Sequence, residues 1–288
     1  MPRIVSCLAD ISDAYDAILC DVWGVLHDGK RAFAPASDAL VAFRRRGGAV
    51  ALVTNAPRPN PPVSAQLQRL GVSPDAFDAV VTSGDVTMAL VEARGAAPVH
   101  HIGPERDLSL FEAVEAKTGV RPPRVGPHEA EYVICTGLEQ DHVETPADYR
   151  DRLAALAARK LPFICANPDL VIHRGADLVY CAGALGQAYE GLGGEVTYAG
   201  KPYAPIYEAA LLACALALGR EPKRALAIGD GFRTDVFGAS GQGLDVLFVA
   251  GGIHREEALT GEAVAPEGLK ALFARESYTP AATIATLR

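Results

Sequence analysis

Residue types capable of chemistry recur in this chain immediately after short apolar runs. AILCD ends in Asp21 and turns through Gly24. AVALVT ends in Thr54 and Asn55, Val196–Ala199 is followed by Gly200, Lys201 and Pro202, and Ala225–Ile228 runs into GDGFRTD with Asp230 and Asp235. Paired carboxylates suit a metal ion, while an ammonium and a hydroxyl suit an anion. Taken singly, each has a blander reading: an aspartate capping a turn, a threonine capping a helix, a lysine in solvent. Four such strand ends, far apart in sequence, would meet at one edge of a parallel sheet, the edge where ligands bind.

Continuous apolar runs with polar boundaries suit strands buried on both faces of such a sheet. Between Asp21 and Thr54, Pro35–Arg46 predicts a helix with Ala36, Leu40 and Phe43 on one face, stopped by Gly47 and Gly48. Strand, helix and strand form a right-handed βαβ unit. The proline-rich loop after Asn55 gives way to a helix capped by Asn60 and opened by Pro61, with Val63, Leu67 and Leu70 buried. Ala79–Thr82 is a further strand. Strands at Val99–Ile102, Tyr132–Cys135 and Phe163–Cys165, with helices at Leu108–Lys117 and Ala147–Arg159, then fill a middle section with the size of a domain. The outer pattern resumes with a strand at Val196–Ala199, a helix at Ala204–Leu218, and strands at Ala225–Ile228 and Asp245–Val249. The expectation is an α/β fold: a Rossmann-like core of residues 1–83 and 196–288 with a parallel sheet, and an α/β domain inserted over 84–195.

A chain of 288 residues, 49% hydrophobic and 22% charged, has room for two cores. Its net charge of −8 supplies no basic counter-surface, which argues against nucleic acid as a partner. The densest basic run, Arg44 to Arg46, falls at a helix end where it complements the dipole. Six cysteines without CxxC spacing read as reduced core residues rather than a disulfide or zinc frame. His100 and His101 lack a ligand cluster around them. The opening residues have no sustained apolar segment after Arg3 and no stretch approaches about 18 apolar residues, so neither a signal peptide nor a membrane span is expected, and a cytoplasmic protein is.

With DVWGV, LVTN, the NPD of Asn167–Asp169, GKP and GDGFRTD in order, the chain resembles the haloacid dehalogenase superfamily, and within it class IIA, the NagD-like or nitrophenylphosphatase type. The resemblance covers nearly the full length. It implies that Asp21 is a nucleophile forming an aspartyl-phosphate, and that Mg²⁺ is held by Asp21, the backbone carbonyl of Trp23 and Asp230, with Asp235 in support. Lys201 would pair with Asp21 and a phosphoryl oxygen; the Thr54 hydroxyl and the Asn55 N–H would hold the remaining ones. The middle domain becomes a cap whose loop Asn167–Asp169 lies over the nucleophile, with Asp169, His173 or Arg174 facing the substrate and Arg58 as a further anion contact. The substrate implied is a small phosphorylated metabolite, and because caps of this class often mediate dimers the resemblance also implies a homodimer.

One position departs from that pattern. The phosphatases of the family carry a second aspartate two residues after the nucleophile, as acid for the leaving alcohol and then base for water; here it is Trp23. Indole exchanges no proton near neutral pH, and a missing general acid costs about 10²- to 10⁴-fold in rate. Four explanations stand: a phosphatase for aryl or acyl phosphates that need little protonation; replacement of the acid by His27, Asp28 or a cap residue; a dehalogenase, whose relatives carry an aromatic here; or a phosphate-binding regulatory protein with little turnover. The metal-suited pair Asp230 and Asp235 favours a metal-dependent phosphatase over a metal-independent dehalogenase.

Overall fold

A computed structural model describes residues 2–174, 177–276 and 278–288. The strands are β1 (Arg3–Ile4), β2 (Ala17–Asp21), β3 (Ala49–Thr54), β4 (Ala79–Thr82), β5 (Val99–Ile102), β6 (Tyr132–Cys135), β7 (Phe163–Cys165), β8 (Val171–Arg174), β9 (Asp177–Tyr180), β10 (Val196–Tyr198), β11 (Ala225–Gly229), β12 (Asp245–Val249), β13 (Leu259–Thr260), β14 (Ala263–Val264) and β15 (Ala282–Ile284). The chain divides into two compact units. Met1–Thr54, Pro61–Val81 and Lys201–Arg288 make the first; Asn55–Asn60 and Thr82–Gly200 make the second.

The first unit is built on a sheet of order β1-β15-β12-β11-β2-β3-β4. From β1 through β3 its neighbours pair in parallel. Every residue of β2 and β11 is buried, which is why both read as unbroken apolar runs. Burying Ile18 or Leu52 completely contributes about 1.5–3 kcal/mol each. The register sets Cys20 beside Ile228 and Asp21 beside Val53, so the chemistry-bearing residues that follow leave the sheet at one edge. A helix over Ala34–Arg45 buries the expected Ala36, Leu40 and Phe43. Gly48 is tied to its position because a Cβ there would strike the Phe43 ring. The helix Ala204–Leu218 buries Ile206, Tyr207, Ala210 and Cys214 and ends at Gly219 in the left-handed conformation that glycine tolerates best. Arg44 and Arg46 are more than dipole partners: Arg44 grips Asp78 with two guanidinium nitrogens, and Arg46 bonds Asp13 and Ser12.

The second unit carries its own parallel sheet, of order β10-β7-β6-β5. Here one expectation is corrected. Val196–Tyr198 does not resume the first unit's pattern; it is the edge strand paired with β7, reached from the helix Ala182–Gly191 by a crossover within this unit. Tyr189 stacks on Phe163 with ring centres 4.8 Å apart and donates its hydroxyl to the Leu161 carbonyl, so this stacked pair keeps its one polar tip satisfied. His100 bonds the Val125 carbonyl and His101 the Thr136 hydroxyl, which makes both histidines structural. The helices expected at Leu108 and Ala147 each begin with a tighter turn, Glu105–Leu108 and Pro146–Tyr149, before Ser109–Thr118 and Arg150–Ala158. None of the six cysteines forms a disulfide, and no helix among the described residues is long and apolar enough to cross a membrane.

Candidate active site

Asp21 is delivered by β2 at the edge where β11 delivers Asp230. Asp235 arrives by a different device. Phe232–Val236 forms one wide turn, closed by the Phe237 N–H on the Phe232 carbonyl, that swings the Asp235 carboxylate back toward the sheet. Oxygens of Asp21, Asp230 and Asp235 thereby come within 4.8 Å of one another, all buried. Lys201, only 4% exposed, donates to Asp21 Oδ1 at 2.5 Å and to Asp235 Oδ1 at 2.7 Å.

Backbone and hydroxyl donors meet one further oxygen each of Asp230 and Asp235. Ile253 N–H donates to Asp230 Oδ2 at 2.8 Å; Gly231 N–H and the Thr234 hydroxyl reach Asp235 Oδ2 at 3.0 and 3.2 Å. Such close backbone approach requires small neighbours. A Cβ at Gly24 or Gly252 would collide with Asp230, and one at Gly229 with Asp235. Gly24 also has φ +82°, a second reason for glycine. Tyr207 braces the wide turn from below by donating to the Thr234 carbonyl at 2.8 Å.

Three carboxylates against one ammonium leave the pocket short of positive charge. Burial pushes Asp21 well above the usual carboxylate range, with Asp235 and Asp230 adding repulsion against the pull of Lys201. Burial and then Asp235 push Asp230 up to about 7. For Lys201 burial acts downward, yet Asp21 and Asp235 carry its ammonium well above the ordinary value. Hard oxygen donors gathered in a charge deficit fit a hard divalent cation. Thr54, half-buried, stands one residue beyond the Asp21–Val53 pair, at the same sheet edge.

Trp23 lies two residues past Asp21 and is 53% exposed. It is bridged to His27 in a tight loop closed by Gly24 N–H on the His27 carbonyl. His27 is 3% exposed, burial lowers its pKa, and its Nδ1 accepts the Gly29 N–H at 3.0 Å. Asp28 accepts the N–H groups of Arg31 and Lys30, which hold its carboxyl below the usual range. His27 and Asp28 are therefore both committed to the turn.

The other expected contacts belong to the second unit. Asn55 Nδ2 donates to Asp169 Oδ1 at 2.9 Å, and Asn167 Oδ1 accepts the Asp169 N–H at 3.0 Å, so the NPD turn is self-braced and tied to Asn55. Arg58 lies near enough to Asp107 to help lower a carboxyl that burial raises, together with Arg106 and the Thr136 hydroxyl. The side chains of His173 and Arg174 lie outside the described residues. Reasoning from the sequence missed Ile253, Gly252 and Tyr207; the Gly251–Gly252 pair after β12 was the available signal for close backbone approach.

Residues 18–117 match the haloacid dehalogenase-like hydrolase family and residues 198–270 a HAD-hydrolase-like family. A crystal structure of a haloacid dehalogenase-like hydrolase from Brucella suis is 45% identical, with 99% of this chain and 100% of that one covered, at a TM-score of 0.83. A glycerol phosphate phosphatase from Mycobacterium tuberculosis, solved with calcium, is 26% identical over 88% of this chain and 71% of that one, at a TM-score of 0.67. The 5'-nucleotidase YutF of Bacillus subtilis is 24% identical over 255 residues, 88% of this chain and 93% of the relative.

Proposed function

The chain belongs to the haloacid dehalogenase-like family of hydrolases, and from that premise we propose that it is a phosphatase of small phosphorylated metabolites with Asp21 as nucleophile. The carrying observation is the convergence of Asp21, Asp230, Asp235 and Lys201 in one buried cluster. Phosphorylated substrates are named for the nucleotidase and the glycerol phosphate phosphatase among its relatives.

Lys201 occupies Asp21 Oδ1, which leaves Oδ2 to attack phosphorus while the ester P–O bond breaks and an aspartyl-phosphate forms. The ammonium lowers the repulsion between two anions brought to bonding distance. The Thr54 hydroxyl and Asn55 N–H would take phosphoryl oxygens. Mg²⁺, held by Asp21, the Trp23 carbonyl and Asp230 with Asp235 behind, would cancel charge between carboxylate and phosphate. We place the chain in class IIA, with the second unit, which lies in sequence between Thr54 and Lys201, as its cap, and assign Asn55, Arg58, Asn167 and Asp169 as substrate contacts.

Trp23 restricts the reaction. With His27 and Asp28 held in their turn, no acid in that loop replaces the family aspartate, which favours esters whose leaving oxygen needs no added proton. The test is a Mg²⁺-dependent screen of phosphate esters and acyl phosphates beside Asp21→Asn. Metal-dependent release of phosphate that the variant abolishes is expected. Phosphate esters bound without turnover by both proteins would replace this reading with a binding role, and halide release without metal with a dehalogenase.

A further inference from the structure

The chain has a single tryptophan, and it stands in the open beside the nucleophile. Tryptophan is on average a well-buried residue. An indole left 53% exposed on a mobile loop would mean little, but this loop is fixed. Leu26 N–H bonds the Val22 carbonyl, Gly24 N–H the His27 carbonyl and Phe33 N–H the Leu26 carbonyl, while His27 Nδ1 holds the Gly29 N–H. Gly29, at φ +86°, comes so close that a Cβ would touch Nε1, Cε2 and Cζ2 of the indole at 3.4 to 3.8 Å. One part of the ring therefore rests on the turn. The rest faces outward, already ordered, so that stacking on it costs little conformational entropy.

We propose that Trp23 is the specificity-determining residue for the leaving group: its indole stacks on a planar ring that carries the ester oxygen directly, so that the substrates are aryl or heteroaryl phosphates. The inference rests on the phosphatase reading and narrows it. Two independent properties of one residue agree. Indole offers a π face, and it offers no proton; an aryl oxide needs none to leave, since a phenolic oxygen has a pKa of about 10, far below that of an alkanol. In the step itself, Asp21 Oδ2 bonds to phosphorus, the P–O(aryl) bond breaks with its electron pair on the aryl oxide, and that oxide takes its proton from water.

The test uses the full protein with Mg²⁺ and three ligands it cannot hydrolyse: phenylphosphonate, cyclohexylphosphonate and methylphosphonate. Affinities come from calorimetry, and the emission of the one tryptophan reports contact directly. Phenylphosphonate should bind about two- to tenfold tighter than the cyclohexyl compound, the usual range for an aromatic pair beyond its area burial, and should change the emission saturably. Trp23→Leu should erase the preference and Trp23→Phe should keep it. Equal affinity for the flat and the puckered ring, a preference that survives in Trp23→Leu, or emission unmoved at saturation would overturn the inference. If methylphosphonate binds while no ring preference exists, stacking alone fails; if none of the three binds, the phosphatase reading fails with it.

Discussion

Gly252 lies so close to Asp230 that a methyl group in place of its hydrogen would overlap the carboxylate. The next residue, Ile253, supplies the N–H that orients the same carboxylate at 2.8 Å. The turn after β12 is thus part of the site although it contributes no side chain. Gly252→Ala should leave the fold intact and weaken Mg²⁺ binding about 10- to 100-fold, as loss of a group orienting a metal ligand does. Calorimetric titration with Mg²⁺ beside thermal unfolding checks it; unchanged affinity would mean that the turn yields freely.

Lys201 answers two buried carboxylates at once, so its removal strands both. Lys201→Met should destabilise the metal-free protein by about 3–5 kcal/mol, the cost of leaving a buried charge without its partner. Because Mg²⁺ would meet the same charge deficit, added metal should recover part of that loss, visible as a rightward shift of the urea midpoint. Activity should not return with it, since no ammonium then stands between Asp21 and the phosphoryl group. A variant as stable as the natural protein without metal would contradict the charge ledger.

On the proposed reading, Trp23→Asp supplies the proton carrier that an indole at that position cannot be. Hydrolysis of an alkyl ester such as glycerol phosphate should rise by about 10²-fold or more, and that of p-nitrophenyl phosphate far less, because only the alkanol depends on protonation. Equal gains on both substrates would count against the missing-acid account.

The same residue shows how the sequence could be read and where reading stopped. β2, β3 and β11 were legible because strands buried on both faces have to be continuous apolar runs, and the polar residues at their ends, Asp21 and Thr54, or just past them, Asp230, marked the edge that carries the chemistry. Membership of Val196–Tyr198 was not legible: three residues at a sheet edge have the same pattern in either unit, and only pairing with β7 decides. The hairpin of β8 and β9 and the two-residue β1 are too short to announce themselves. Asp235 was identified by its spacing, yet the wide turn that carries it is set by backbone bonds with no side-chain signature. The exposure of Trp23 was equally silent, since an indole after a buried strand looks like core.

Asp16 gives a prediction about how the site is held in register. It accepts N–H bonds from Lys223 and Arg224, each at 3.0 Å, and the Arg220 guanidinium at 2.6 Å, just where the start of β2 meets the start of β11. Burial acts upward on its carboxyl, but the bonds from Arg224, Lys223 and Arg220 outweigh it and bring the pKa down to about 2. An unfolded aspartate titrates at about 3.9. The folded value is the lower, so the unfolded chain binds the proton first, and the stabilisation is complete above about pH 5 and lost as pH falls through 4 toward 2. Asp16→Asn should therefore be less stable than the natural protein at pH 7, by on the order of 1 kcal/mol for a half-buried group at the surface, and the gap should close by about pH 2. Urea unfolding of both proteins from pH 2 to 7 decides it: a gap constant across that range would mean that the carboxylate's charge contributes nothing. Asp16 is also where Ala17 is set beside Ala225, and four residues further along β2 that register puts Asp21 within reach of Asp230. Loosening this corner should lower Mg²⁺ affinity in Asp16→Asn at neutral pH even though the substitution is at the opposite end of the strand.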